Sequence, residues 1–233
     1  MSTDLETLPL FNLEEVAPTR PEVKRVPSQA THDLILTKHY AQRLPSISHA
    51  FGYFEHGQMI GALTIGKPAS HQLCVGLAGP HWSSNVYELN RLIVDGYTHP
   101  NALSFFVGKA MKLLANTDIV LVSYADESMG HHGYIYQATN WVYTGKTKSR
   151  TDKYTPSGKH SRHYTDEYPH LRKVRSSKHR YVYVPNRRLR KRFFRDMNYP
   201  IVDYPKGNNE RYRLGEAIKT KVINTLTGEV HYE

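Results

Sequence analysis

The clearest apolar pattern runs from Val86 to Ala115, VYELNRLIVDGYTHPNALSFFVGKAMKLLA. In Val86–Val94, Leu89, Leu92, Ile93 and Val94 surround a small polar set of Glu88, Asn90 and Arg91. That run is too apolar for a loop and too short for a helix, which predicts a buried strand. Asp95-Gly96 and the Thr98–Asn101 stretch break it with turn chemistry. Beyond Pro100, Phe105, Phe106, Ala110, Met111, Leu113 and Leu114 recur at helical spacing, with Asn101 as the candidate N-cap. Strand, polar loop and helix N-terminus together present free backbone N–H groups to an anion.

The flanking pattern follows the same logic. Ser28 or Thr31 caps a predicted helix with Ala30, Leu34, Ile35 and Ala41 on its apolar side, ending before Pro45. His49–Glu55 and Met59–Ile65 read as a hairpin around Glu55-His56-Gly57-Gln58. Ala69–Ser84 is loop-like, with at most a short strand at Leu73–Leu77. Ile119–Ser123 is wholly apolar and β-branched, a central strand, and Asp126 follows its end. Gly130–Thr139 predicts a short helix and Asn140–Tyr143 a strand. Lys146–Lys178 shows little period. His179–Val184 alternates as a strand, Asn186–Met197 is helical, and Lys221–Thr225 and Gly228–His231 are weak strands. The order predicts an α/β domain with a mixed central sheet flanked by helices. Residues 1–27 read as a flexible arm, 28–145 as the core and 146–233 as a basic extension.

Charge sharpens that division. The 233-residue chain carries a net charge of +10. Between residues 146 and 206 there are 18 Lys and Arg against 5 Asp and Glu, while the remainder has 13 basic and 16 acidic residues. A near-neutral body with a basic attachment points to a polyanion, and nucleic acid fits better than a membrane surface. The lone Cys74 excludes a disulfide framework. No apolar run approaches the roughly 20 residues of a membrane span, and the N-terminus lacks a secretory pattern, so a cytoplasmic location is expected.

Candidate chemistry is sparse but placed. Asp126 after a buried strand, with Tyr136 beyond it, suits activation of an amine. Ser104 at a helix start suits a carbonyl or phosphate. There is no HExxH and no Cys pair, which disfavours zinc; His39, Tyr40 and Asp126 form a His and oxygen-donor set of the kind that suits iron. His131-His132 reads as a polar helix start. Arg187, Arg188, Arg190, Lys191 and Arg192 form a dense cluster for phosphates, interleaved with tyrosines that can stack on an extruded base.

Several phrases together carry a family likeness: SQATHDLILTKHYAQRLPSIS, GALTIGKP, SNVYELNRL, YADESMGHHGYIYQATNWVYTG and SGKHSRHY. Over roughly Ser28 to Val184 the chain resembles the Mom proteins of Mu-like bacteriophages, which modify adenine in phage DNA. The resemblance implies a fold similar to GNAT-type acyltransferases. It implies conversion of adenine to its N6-carbamoylmethyl form in double-stranded DNA, which shields that DNA from host restriction. It also implies site residues: Arg91, Ser104, Asp126 and Tyr136, with His39 and Tyr40 near an iron site. The acyltransferases' glycine-containing phosphate loop is replaced here by DGYTHPNALS (Asp95–Ser104), which argues against coenzyme A as donor. In the resulting scheme a flipped adenine stacks on Tyr40 or Trp141, Asp126 takes or orients an amine proton, and Arg91 and Ser104 hold the donor. The rival readings are a coenzyme A-dependent N-acetyltransferase and a non-enzymatic DNA-binding module.

Overall fold

A computed structural model of the chain describes residues 20–97, 99–154, 168–207, 219 and 221–232. Strands β1 (Glu22–Arg25), β2 (His49–Glu55), β3 (Gln58–Gly66) and β4 (Val86–Val94) form an antiparallel half-sheet. Helix α1 (His32–Thr37) precedes β2, and α2 (His71–Ala78) lies between β3 and β4. After β4 the chain forms α3 (Ala102–Leu113), β5 (Val120–Asp126), α4 (Tyr134–Ala138) and β6 (Val142–Lys146). Then come β7 (Arg150–Lys153), β8 (Leu171–Arg175), β9 (Lys178–Tyr183), α5 (Arg187–Asp196), β10 (Lys221–Asn224) and β11 (Val230–Tyr232). Seven strands build the main sheet in the order β1-β2-β3-β4-β5-β9-β6, and four build a second sheet, β11-β10-β8-β7. Among the described residues only β4 and β5 pair in parallel; every other pair is antiparallel.

Both faces of the main sheet are covered, which is why β5 reads as an unbroken apolar run. On one face Phe106, Val107, Ala110 and Met111 of α3 pack with Phe51, Tyr53, Leu63, Leu121, Trp141 and Tyr181. On the other, Cys74 and Leu77 of α2 and Phe193 of α5 pack with Val86, Val120, Val122 and Val182. The expected mixed sheet with flanking helices is the architecture observed.

Five local expectations change. The first helix, expected to carry Ala41 and to end before Pro45, stops at Thr37. Glu22–Arg25, placed in a flexible arm, pairs with β2 from Glu22↔Phe54 to Arg25↔Phe51. Leu73 lies in a helix, not a strand: the Ser70 side chain caps α2 by accepting from the Leu73 N–H, and Gly79 (φ 87°) ends it. The glycines read as loop markers thus stop a helix that buries Cys74, Leu77 and Ala78. Asn101 precedes α3 in the left-handed region with no side-chain capping bond. Finally, a boundary at residues 145/146 does not divide the fold. β9 lies between β5 and β6, and beyond α5 the Val202 N–H donates to the Tyr143 carbonyl (3.0 Å) and the Tyr204 hydroxyl to that of Trp141 (2.7 Å). Charge marked that boundary in the sequence, but backbone pairing, blind to charge, decides sheet membership.

Candidate active site

Strands β4 and β5 share only three register pairs, Val86↔Val120, Tyr87↔Leu121 and Glu88↔Val122. Beyond them β4 continues along β3 and β5 along β9, so the two parallel strands part and leave a notch. Ser123 spans the split: its Oγ lies 2.8 Å from the Leu89 carbonyl and 2.7 Å from the Tyr136 hydroxyl. A carbonyl only accepts, so Ser123 donates to Leu89 and Tyr136 donates to Ser123.

β4 also carries a bulge between its Leu89↔Ile65 and Arg91↔Thr64 pairs, at Asn90. Bulges re-aim side chains, and here Asn90 and Arg91 both turn to the loop of residues 38–48. Arg91 donates to the Arg43 carbonyl through Nε (3.2 Å) and Nη2 (2.9 Å), and through Nη1 to the Asn90 carbonyl (2.6 Å). Asn90 Nδ2 donates to the Ser46 carbonyl (2.9 Å), and its Oδ1 accepts from the Thr64 hydroxyl (2.7 Å). A Cβ at Gly66 would stand 1.8 Å from the Ser46 oxygen, so glycine is required where the loop returns. At the loop's start Lys38 pairs with Asp95 (3.2 Å), and Gln42 sits at φ 41°.

This clamped loop brings Tyr40 over the notch. Burial raises the Tyr40 phenol; Asp126 and Glu88 add to the rise and Arg91 opposes it. Burial, and then the Arg91 charge, push the His39 imidazole down to about 3, so it is neutral; its Nδ1 accepts the Ala41 N–H (3.0 Å). Tyr136 is raised by burial, with Tyr40 and Glu88 among the charges acting on it. Arg91, Asp126, Tyr136, Tyr40 and His39 are therefore gathered, as their positions around two strand ends suggest.

The two carboxylates of the notch differ. Glu88 is raised by burial, partly offset by Arg91 and Lys178, and among the described residues it has no hydrogen bond or ion pair. Burial would also raise Asp126, but Lys178, Ser176 and Ser128 outweigh it and hold the carboxyl below its ordinary value. Its Oδ2 accepts from Lys178 Nζ (2.7 Å), and its Oδ1 from the Ser128 N–H (3.0 Å), the Ser128 hydroxyl (2.7 Å) and the Ser176 hydroxyl. A general base needs a free lone pair and a raised affinity for protons. Asp126 carries four donors and a lowered proton affinity, whereas Glu88 carries no donor among the described residues and has a raised one.

Other site expectations are corrected. Trp141 is fully buried, packed against the tilted rings of Tyr136 (5.1 Å) and Tyr183 (5.4 Å), so it offers no face to a base. Ser104 donates to the Asn101 carbonyl (3.0 Å) and lines a different cavity, a groove of about 870 Å³ along α3 that it shares with Lys112, Arg187 and Arg188. Arg190 also borders that groove, but it donates to the Val184 carbonyl (2.7 Å) and the Tyr183 hydroxyl (2.9 Å), a structural duty. Arg187, Arg188, Lys191 and Arg192 are exposed on α5. SGKHSRHY (Ser157–Tyr164) lies outside the described residues.

Two of the three residues expected to hold iron already have partners. Asp126 is spent on an ammonium and three further donors, and His39 Nδ1 on a backbone N–H. Among the described residues no group of three or more His, Cys, Asp and Glu is placed to hold a metal. Sequence reading noticed Glu88 as a charge on a buried strand without giving it a role, and missed Ser123 and Lys178. The first two face the split in the sheet, and Lys178 reaches the notch across the Asp126↔Lys178 register of β5 and β9.

The class of protein is thus a mixed-sheet α/β fold with a polar notch at a parted parallel strand pair. Among solved structures it is similar to an N-acetyltransferase from Staphylococcus aureus Mu50 (12% identity over 72% of this chain and 100% of that one, TM-score 0.44). It is also similar to yncA, a putative acetyltransferase from Salmonella typhimurium (6%, 72% and 95%, TM-score 0.46), and to the IAA acetyltransferase from Bacillus cereus ATCC 14579 (14%, 70% and 98%, TM-score 0.41). No curated protein sequence matches it. The model of the Mom protein family matches residues 20–206, and the chain belongs to that family.

Proposed function

We propose that this protein converts adenine in double-stranded DNA to its N6-carbamoylmethyl form, protecting phage DNA from host restriction in the host cytoplasm. The observation that supports this reading most is the notch. It holds Tyr40, Glu88 and Arg91 where β4 and β5 separate. The basic helix α5 packs on the same sheet and attracts phosphates.

In this reading an adenine leaves the duplex and enters the notch, where Tyr40 offers an aromatic face. As the new bond forms between N6 and the donor carbon, the bond from that carbon to the donor's leaving group breaks, the leaving group departs with the electron pair, and N6 loses one proton. Glu88 accepts it, replacing Asp126 in that role, because only Glu88 has a free carboxylate with raised proton affinity. Asp126 positions Lys178, whose charge tempers Glu88. Arg91 fixes the loop that presents Tyr40, and so acts through position. Among the described residues no helix is long and apolar enough to cross a membrane.

The test is mass spectrometry of nucleosides from the DNA of cells expressing the protein. Carbamoylmethyladenine should appear with the wild-type chain and vanish with Glu88→Gln. Unmodified DNA from wild-type cells, with the protein folded and abundant, would sink the proposal.

A further inference from the structure

The clamps that present Tyr40 also fix the tip of the loop over the notch. Its carbonyls at Arg43 and Ser46 are held by Arg91 and Asn90, the two residues that the β4 bulge turns outward. Between those clamps stand Arg43, Leu44 and Pro45. Leu44 is 38% exposed, and Pro45 has a ring-fixed φ. A solitary exposed leucine is ordinary. This one stands on a stiff tip whose position is set from both ends by the strand that lines the notch.

We propose that Leu44 is a wedge that enters the base stack and fills the space left when a nucleotide is extruded into the notch. The proposal rests on the adenine-modification reading and adds to it how the duplex is opened. An extruded base leaves its neighbours without stacking contacts, and an inserted apolar side chain restores contact and delays the base's return. The clamps matter because a wedge on a loose loop would bend aside. The tip is also cationic: Arg43 adjoins Leu44, and burial together with Arg175 and Arg43 lowers the Lys173 ammonium, which places Lys173 within reach of the same tip. Phosphates of the opened strand would meet these two charges while Leu44 meets the bases.

The test compares Leu44→Ala and Leu44→Met in the full chain. In cells, Leu44→Ala should lower the modified-adenine fraction at least tenfold, and Leu44→Met should keep at least half of it. In vitro, both purified variants should bind a plain duplex within twofold of wild type. With 2-aminopurine in the duplex, wild type and Leu44→Met should raise its fluorescence on binding and Leu44→Ala should not. Placing the 2-aminopurine opposite an abasic site removes most of the cost of extrusion, and there all three should give the same rise. Leu44→Ala modifying DNA as well as wild type, or failing equally opposite the abasic site, overturns the wedge and leaves the adenine reading intact. A wild-type chain that produces no modified adenine removes both.

Discussion

The notch and helix α5 both carry dense charge, and they use it in opposite ways. In the notch the charges are half-buried and answer one another: Asp126 pairs with Lys178, and Glu88 lies in the fields of Arg91 and Lys178. On α5, Arg187, Arg188, Lys191, Arg192 and Arg195 are all exposed, with no acidic residue in the first turn. Three like-charge pairs lie four apart, and each costs about 0.2–0.5 kcal/mol. Two arginines at the positive end of the helix dipole add to that cost. The helix is held instead by Phe193 in the core and by Asp196, which accepts from the Trp82 indole (3.1 Å). Paired charge sets geometry and proton affinity. Arg195 pairs with Asp196 (3.2 Å), but the other exposed cations of α5 have no ion pair among the described residues and make a field, which α5 keeps at a cost in its own stability.

The comparison breaks most visibly at Glu88. Glu88→Gln should cut adenine modification by about a hundredfold or more, the range of a lost general base, with DNA affinity unchanged in a titration. Comparable loss of affinity would mean that the notch binds and α5 does not. Replacing Arg187, Arg188 and Lys191 with Ala together should do the reverse. Affinity for duplex DNA should fall, and the salt slope should shrink by about 0.9 for each phosphate no longer neutralised, while the fold is no less stable. An unchanged slope would show that these residues touch no phosphate.

Smaller effects separate the notch's own groups by pH. His39 is neutral when folded and takes up a proton at ordinary pH values only when unfolded. Stability should therefore fall as pH drops from about 6 to 4.5, by up to roughly 1.4 kcal/mol per pH unit, and His39→Gln should flatten that decline in urea titrations. Smallest is the contrast between the carboxylates. Asp126 is depressed in the fold, so its contribution is present at neutral pH and lost as pH falls through its folded value; Asp126→Asn should cost about 1–3 kcal/mol at pH 7. Glu88 is raised, so its contribution is fully present at low pH and is lost as pH rises from the ordinary carboxylate range through its folded value. Glu88→Gln should thus be neutral or stabilising at pH 7. Equal thermal shifts for the two variants would erase the distinction between them.

Much of the fold was legible because its periods are local. Val86–Val94 matches β4 residue for residue, and the hairpin, β9, α5 and the last two strands fall within a residue or two of their patterns. α2 was missed because Gly76 and Gly79 mark loops in general, and only the Ser70 cap and the buried Cys74 and Leu77 show otherwise. In the site, Tyr40, Arg91, Asp126 and Tyr136 were named and do meet. Their duties were not legible: Asp126 turned out to be bound by residues 50 and more positions away, Trp141 to be core, and Ser104 to face another groove.

The sequence alone marked most of the main strands and helices, their apolar faces, and that one part of the chain is strongly basic. Each of these depends on neighbours within a turn or a strand. Only the tertiary structure decided that β4 and β5 part after Glu88, that a bulge turns Asn90 and Arg91 onto a distant loop, and which of two carboxylates is left without donors. Those outcomes depend on burial and on partners remote in the chain, and a proton's affinity for a carboxylate is set by what surrounds it in space.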